Sequence, residues 1–231
     1  MNIENNILRY YLKNAYFING TAYAGKSTMC ALLAQKYGMI HCGENYHAKH
    51  ADEIAVPDRQ PGMCYFQTME SWQAFVSRTP DEYERWIDQV SAEAVGFELA
   101  ELIALSHTGK KIIVDTNIPV SVLHEISDDR HVAIMLSPPS LSVERFFDRA
   151  DEDKQFLLRQ IRRSDDPEQT MENFRACLAR LNSQARYDEL AKSGFFTLTR
   201  ADDGRDTRAE TLSALAKHFG LDGPGETAPE K

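Results

Sequence analysis

Eight consecutive residues constrain this chain more than any other stretch. Gly20-Thr21-Ala22-Tyr23-Ala24-Gly25-Lys26-Ser27 meets the pattern G-x-x-x-x-G-K-[ST] at every fixed position. Ala15-Tyr16-Phe17-Ile18-Asn19 before it is a short apolar run of strand type. Thr28-Met29-Cys30-Ala31-Leu32-Leu33-Ala34-Gln35-Lys36 after it has the composition of a helix. Strand, glycine loop and helix in that order form a phosphate cradle. Glycines permit the torsions that turn backbone N–H groups inward, and the helix N-terminus adds positive potential where an anion sits. Lys26 then reaches toward β- and γ-phosphates, and the Ser27 hydroxyl is placed to ligate Mg²⁺. The expected nucleotide-binding set is Gly20, Thr21, Ala22, Tyr23, Ala24, Gly25, Lys26, Ser27 and Thr28.

Five short apolar runs alternate with helical stretches: 15–19, 39–42, 111–115, 132–136 and 195–199. That alternation predicts a parallel sheet covered on both faces, with the loop at the carboxyl edge of a central strand. Residues 1–14 read as a short helix or an extended arm. Residues 43–78 read as irregular, broken by Pro57, Pro61 and Gly62. Thr79-Pro80-Asp81-Glu82 is a capping box opening a long helix toward Gly109. Further helices are expected over 120–126, 142–149 and 153–163, from Asp166 to near Gly194, and from a cap at Thr207 to Gly220. The tail from Asp222 is expected to be disordered. One domain spanning 1–221 accommodates all of this.

Hydrophobic residues make up 42% of the 231, enough for a sizeable core, and no apolar run approaches a membrane span. A net charge of −9 argues against a nucleic-acid groove. Cys30, Cys42, Cys64 and Cys177 are scattered; Cys30 and Cys42 sit in apolar segments and read as reduced core residues. With no basic n-region or apolar h-region at the start, a cytoplasmic location is expected. His41, His47 and His50 lack metal-ligand spacing.

Two carboxylates are candidates for chemistry. Glu44 follows the second strand, and Asp115 ends the third, where it can hold a Mg²⁺-bound water; which of them acts as base stays open. Arg145 and Arg149 are four apart, and Arg159, Arg162 and Arg163 follow i, i+3, i+4 spacing, so each set shares a helical face. Guanidinium groups there would stabilise charge on a transferring phosphoryl group, unless the neighbouring acids neutralise a merely solvated face. Tyr65, Phe66 and Trp72 fit either a pocket or a core. The segment Arg200-Ala201-Asp202-Asp203-Gly204 after the fifth strand is a candidate adenine cover.

The chain lacks an N-K-x-D guanine motif, and Asp115 is followed by Thr116 and Asn117 rather than by the Glu that hydrolytic ATPases place after this strand. With these features it resembles the small P-loop kinases: nucleoside monophosphate kinases, shikimate and gluconate kinases, and chloramphenicol phosphotransferase. The resemblance covers residues 14–220 as an order of elements, with the loop as the one specific motif. It implies an α/β P-loop NTPase fold with strand order 2-3-1-4-5, an acceptor-binding insertion over 43–110 and an arginine-bearing lid over 142–165. It also implies ATP and Mg²⁺ as partners and transfer of the γ-phosphoryl group to a small molecule; from charge and hydropathy, no nucleic-acid or membrane partner is expected. In that scheme Lys26, Glu44, Asp115, Arg145 and Arg149 are catalytic, Arg159 and Arg163 bind ATP, and Ser27 and Asp115 serve the metal. Asp115-Thr116-Asn117-Ile118-Pro119 stands where nucleotide kinases carry Asp-Gly-Phe-Pro-Arg. A nucleoside or nucleotide acceptor is the alternative within the class, and a nucleotide-gated binding protein without transfer is the alternative outside it. Oligomeric state is not legible.

Overall fold

A computed structural model describes residues 3–148, 151–201 and 203–222. Helix α1 (Asn5–Tyr11) leads into β1 (Ala15–Gly20), and the glycine loop carries the chain into α2 (Lys26–Tyr37). The short strand β2 (Ile40–Cys42) follows, then α3 (Ala48–Ile54), α4 (Tyr65–Thr68), α5 (Trp72–Val76) and the long α6 (Pro80–Ser106). Next come β3 (Ile112–Asp115), α7 (Val120–Ile126), β4 (Val132–Leu136), α8 (Pro139–Glu144), α9 (Glu152–Ile161) and α10 (Pro167–Leu181). The chain closes with α11 (Gln184–Ala191), β5 (Phe196–Thr199) and α12 (Arg208–His218).

The five strands form one parallel sheet in the order β2-β3-β1-β4-β5. Period-two alternation divides β1 between two cores. Ala15 and Phe17 join Ile112, Val114, Val132 and Ile134 under α1, α6 and α7. Tyr16 and Ile18 join Met29, Cys30, Leu33, Leu215 and Phe219 under α2 and α12. A third cluster stands apart from the sheet. Phe75, Val76 and Tyr83 from the insertion meet Ile161 of α9 and Phe174, Cys177 and Leu178 of α10. All four cysteines are buried and free. Among the described residues no helix is long and apolar enough to cross a membrane.

Several local expectations are corrected. Residues 43–78 are not irregular throughout but contain α3, α4 and α5, the last capped by Ser71 accepting from the Ala74 N–H. The helix expected from Asp166 to near Gly194 is two, because Ser183 adopts an extended conformation and caps a new start at α11. The helix expected over 142–149 starts earlier, at Pro139, and ends at Glu144. At α12 the Thr207 side chain makes no cap; Asp206 accepts from the Arg208 N–H instead. The capping box at Thr79 and Glu82 forms as expected. The N-terminal arm is a helix whose Arg9 donates to the carbonyls of His124 and Glu125, at 2.6 and 2.8 Å, at the end of α7. Arg149, Asp202 and residues 223–231 lie outside the described residues, so the disorder expected of the tail from Asp222 concerns residues that are, beyond Asp222 itself, not described.

Candidate active site

The loop between β1 and α2 takes its shape from torsions that few residues tolerate. Gly20 has φ +141°, and a Cβ placed there would lie 1.8 Å from the Met135 carbonyl oxygen, because β1 and β4 pair Gly20 with Met135. Gly25, at φ +93°, is the N-cap of α2. Tyr23 is left-handed with φ 65°, and its hydroxyl donates to the Arg145 carbonyl oxygen. Ser137, fully buried at the end of β4, braces the loop from below. Its N–H donates to Thr21 Oγ1 at 2.7 Å and its hydroxyl to the Ala22 carbonyl at 2.6 Å. In sequence Ser137 reads only as a strand stop before two prolines.

Lys26 arches back over this loop, its Nζ 3.3 Å from the Gly20 carbonyl and 3.4 Å from that of Thr21. The Ser27 hydroxyl donates to Asp115 Oδ2 at 2.5 Å. Parallel pairing of Ile18 with Asp115 sets that carboxylate beside the loop. Asp115 is 2% exposed, and its Oδ1 is buried without a hydrogen-bond partner. Burial raises its pKa above the ordinary range, with Lys26 and the Ser27 hydrogen bond opposing and Glu44 adding to the rise. An unsatisfied buried carboxylate oxygen next to a serine hydroxyl suits Mg²⁺, which keeps several waters and takes one or two protein ligands. Among the described residues no group of three His, Cys, Asp or Glu side chains is arranged to hold a metal by itself.

Three clefts adjoin the loop. The middle one, about 550 Å³, is lined by loop residues from Gly20 to Thr28 and by Glu44, Asn117, Phe146 and Lys154. A second, about 750 Å³, lies toward β5 and is lined by Gly25, Thr28, Thr199, Arg200, Asp203 and Gly204 among others; the Arg200 guanidinium donates to the Tyr23 carbonyl at 3.1 Å. The candidate adenine segment therefore borders the loop, apart from the undescribed Asp202. The third, about 860 Å³, opens on the opposite side, between the loop, α6, α10 and α11, and includes Glu44, Asn45, His47, Glu98 and Arg186.

Glu44 borders both the middle and the third cleft, and Asn117 Nδ2 donates to its Oε1 at 3.4 Å. Asn45 beside it is left-handed, φ 59°, the other non-glycine residue besides Tyr23 with positive φ among the described residues. Sequence reasoning missed Glu98. It is 5% exposed on the buried stripe of α6, one turn after Ala94. Thr116 Oγ1 donates to its Oε2 at 2.8 Å, and the Tyr46 hydroxyl donates to its backbone carbonyl at 3.1 Å. Burial pushes the Glu98 carboxyl up to about 7, with Asp115 adding and the Thr116 hydrogen bond opposing. The available signal was a carboxylate on an otherwise apolar helical stripe. Three consecutive residues at the end of β3 thus engage the site: Asp115 accepts from Ser27, Thr116 holds Glu98, and Asn117 reaches Glu44.

On the lid side, Arg159 and Arg163 are exposed and border none of the three clefts; Arg159 lies over the Phe156 ring at 5.7 Å. Arg145 is exposed at the end of α8. Among the described residues of the candidate lid, the cation bordering the loop cleft is Lys154, beside Asp151 and over the Phe146 ring. Tyr65 and Trp72 pack against the third core, while Phe66 is 45% exposed and stacks on Trp72 at 5.1 Å; Trp72 meets Phe156 of α9 at 4.8 Å. Of the histidines, His50 pairs with Glu101 and His47 is buried beside Tyr46.

Sheet order, glycine loop and helix N-terminus define an α/β fold of the P-loop NTPase type. No protein-family model matches the chain, and no curated protein matches its sequence. Among solved structures, a dephospho-CoA kinase from Campylobacter jejuni is similar over 90% of this chain and 98% of its own, at 14% identity and a TM-score of 0.47.

Proposed function

We propose that this protein is an ATP- and Mg²⁺-dependent phosphotransferase acting on a small-molecule acceptor. One observation supports the reading above others. The cleft of the loop that carries Lys26, and Ser27 on Asp115, shares Gly20, Thr21, Ala22 and Glu44 with a second cleft beside it. A nucleotide-binding protein without transfer has no need of a second cleft sharing the same loop residues.

In this reading the β5-side cleft takes the adenosine, and the loop N–H groups and Lys26 hold the phosphates. Ser27 and Asp115 would hold Mg²⁺, which when bound neutralises charge on the phosphate oxygens. The acceptor hydroxyl oxygen forms a bond to the γ-phosphorus while the bond from that phosphorus to the β,γ-bridging oxygen breaks. ADP leaves with that electron pair. The hydroxyl proton passes to Glu44 and from there to water. Lys154, and Arg145 or Arg149 on closure, would steady the equatorial oxygens, while Arg159 and Arg163 would serve ATP from the lid. The cap above the loop excludes water, so that ATP is not hydrolysed instead.

ADP release measured over a panel of hydroxyl compounds tests the reading. Release that rises with an acceptor, and falls roughly a hundredfold or more in Lys26→Met, is the expected result. Near-normal acceptor-dependent release in Lys26→Met would refute it.

A further inference from the structure

The acceptor cleft has a charge that limits what can enter it, and this inference rests on the kinase reading above. Four carboxylates border the cleft: Glu44, Asp88, Glu98 and Glu189. The one arginine there, Arg186, is already committed. Its Nη2 lies 2.7 Å from Asp88 Oδ1 and 3.1 Å from Glu84 Oε1. His47 borders the same cleft, 6% exposed, with Nδ1 unpartnered; burial lowers its pKa, so it stays a neutral donor and acceptor near pH 7. The two lysines of the neighbouring loop cleft, Lys26 and Lys154, face the place of the ATP phosphates. An acceptor bringing its own phosphate would find, among the described residues of the cleft wall, no uncommitted cation and would sit against Glu44 and Glu98, a repulsion that low dielectric enlarges. The rest of the polar wall is made of amides and hydroxyls, among them Asn45, Asn117, Ser91, Ser121 and Asn182. These suit directional hydrogen bonds to alcohol groups.

We propose that the acceptor is a polyhydroxylated molecule without phosphate or carboxylate, neutral or bearing a protonated amine, and that Glu98 is the residue that selects it. Glu98 fits that role because it borders the cleft while Thr116 fixes its Oε2 and the Tyr46 hydroxyl lies beside it, so the carboxylate is held in place facing a ligand. A hydroxyl or ammonium donor completes it; an anion is disfavoured, because it either faces the charged carboxylate or requires Glu98 to take up a proton first. Among the described residues, neither those from Gly62 to Trp86 nor the lid arginines Arg145, Arg159, Arg162 and Arg163 line the cleft.

The experiment uses the full chain and matched pairs: a nucleoside against its 5′-monophosphate, a hexose against its 6-phosphate, an amino alcohol against the corresponding amino acid. ADP release is measured for each, and MgATP binding is titrated separately. Turnover by the uncharged or amine-bearing member of a pair, with its anionic counterpart at least roughly tenfold weaker in kcat/KM, supports the proposal. Turnover confined to anionic members overturns it and leaves the kinase reading standing. Silence across all pairs in a protein that binds MgATP overturns both. With the best acceptor, Glu98→Gln keeps the size and the Thr116 hydrogen bond; it is expected to raise acceptor KM roughly tenfold with MgATP affinity unchanged. An unchanged acceptor KM in a folded Glu98→Gln variant would remove Glu98 from the selection.

Discussion

Around the phosphate loop the backbone does the holding. Gly20 lies against the Met135 carbonyl, Ser137 ties two loop residues down, and strand pairing sets Asp115 in place. Across the clefts, the cap of α5, α9 and α10 is held by side chains, with Phe75, Ile161 and Phe174 fully or nearly fully buried in a core separate from those of the sheet. Hydrogen-bonded backbone has few alternative arrangements, whereas a satellite apolar cluster can part from the sheet without disturbing its ladders. The proposed lid and the proposed acceptor insertion share that cluster, through Trp72 on Phe156 and through Gln73 Nε2 donating to the Gln160 carbonyl at 3.1 Å. On the proposed function, such a lid is expected to move together with the insertion, so that filling the proposed acceptor cleft would also shape the cover over the nucleotide.

Substitutions on the two sides can break this contrast. The largest effect is expected from Gly20→Ala. A Cβ 1.8 Å from a strand carbonyl forces β1 from β4, and MgATP binding should be lost with a stability loss of about 3 kcal/mol or more. Calorimetric titration and a denaturant midpoint measure both; normal binding would show that the loop does not depend on backbone contact. Phe174→Ala should cost about 3–4 kcal/mol through the cavity it leaves. Hydrogen exchange should then accelerate in α5, α9 and α10 while β1, β3 and β4 stay protected. Equal acceleration in the strands would make cap and sheet one cooperative unit.

A smaller, pH-dependent effect is expected where the two regions meet. The Glu98 carboxyl titrates near 7 in the folded protein and near 4.5 in the free chain. Between those values the folded state binds more protons than the unfolded state, so stability falls as pH rises from 4.5 to 7 and levels off above. The contribution is at most about 3 kcal/mol. Glu98→Gln should lose that slope, read as the difference between urea midpoints of the two proteins at pH 5 and pH 8; parallel curves would contradict the burial argument. The smallest effect is expected from Gly96→Ala. Gly96 is on the exposed side of α6 with open space around it, and the change should stabilise the fold by about 0.5–1 kcal/mol with no change in MgATP binding.

What could be read directly from the residues was whatever is contiguous. The glycine loop, its flanking strand and helix, the five strands and the capping box at Thr79 each reside in a handful of neighbouring residues, because hydrogen-bond closure and torsional preference act over three or four positions. Even there, a helix break at Ser183 and an aspartate cap at Asp206 escaped a reading based on periodicity, since one extended residue interrupts a helix without interrupting its apolar stripe. Tertiary structure alone decided the rest. Glu98 meets Thr116 across 18 positions, Ser137 reaches Ala22 across 115, and Lys154 rather than Arg159 or Arg163 borders the loop because α9 turns its apolar side onto the insertion. Charge spacing along a helix says which residues share a face; only the packing of that helix against Trp72 and Phe174 says where the face points.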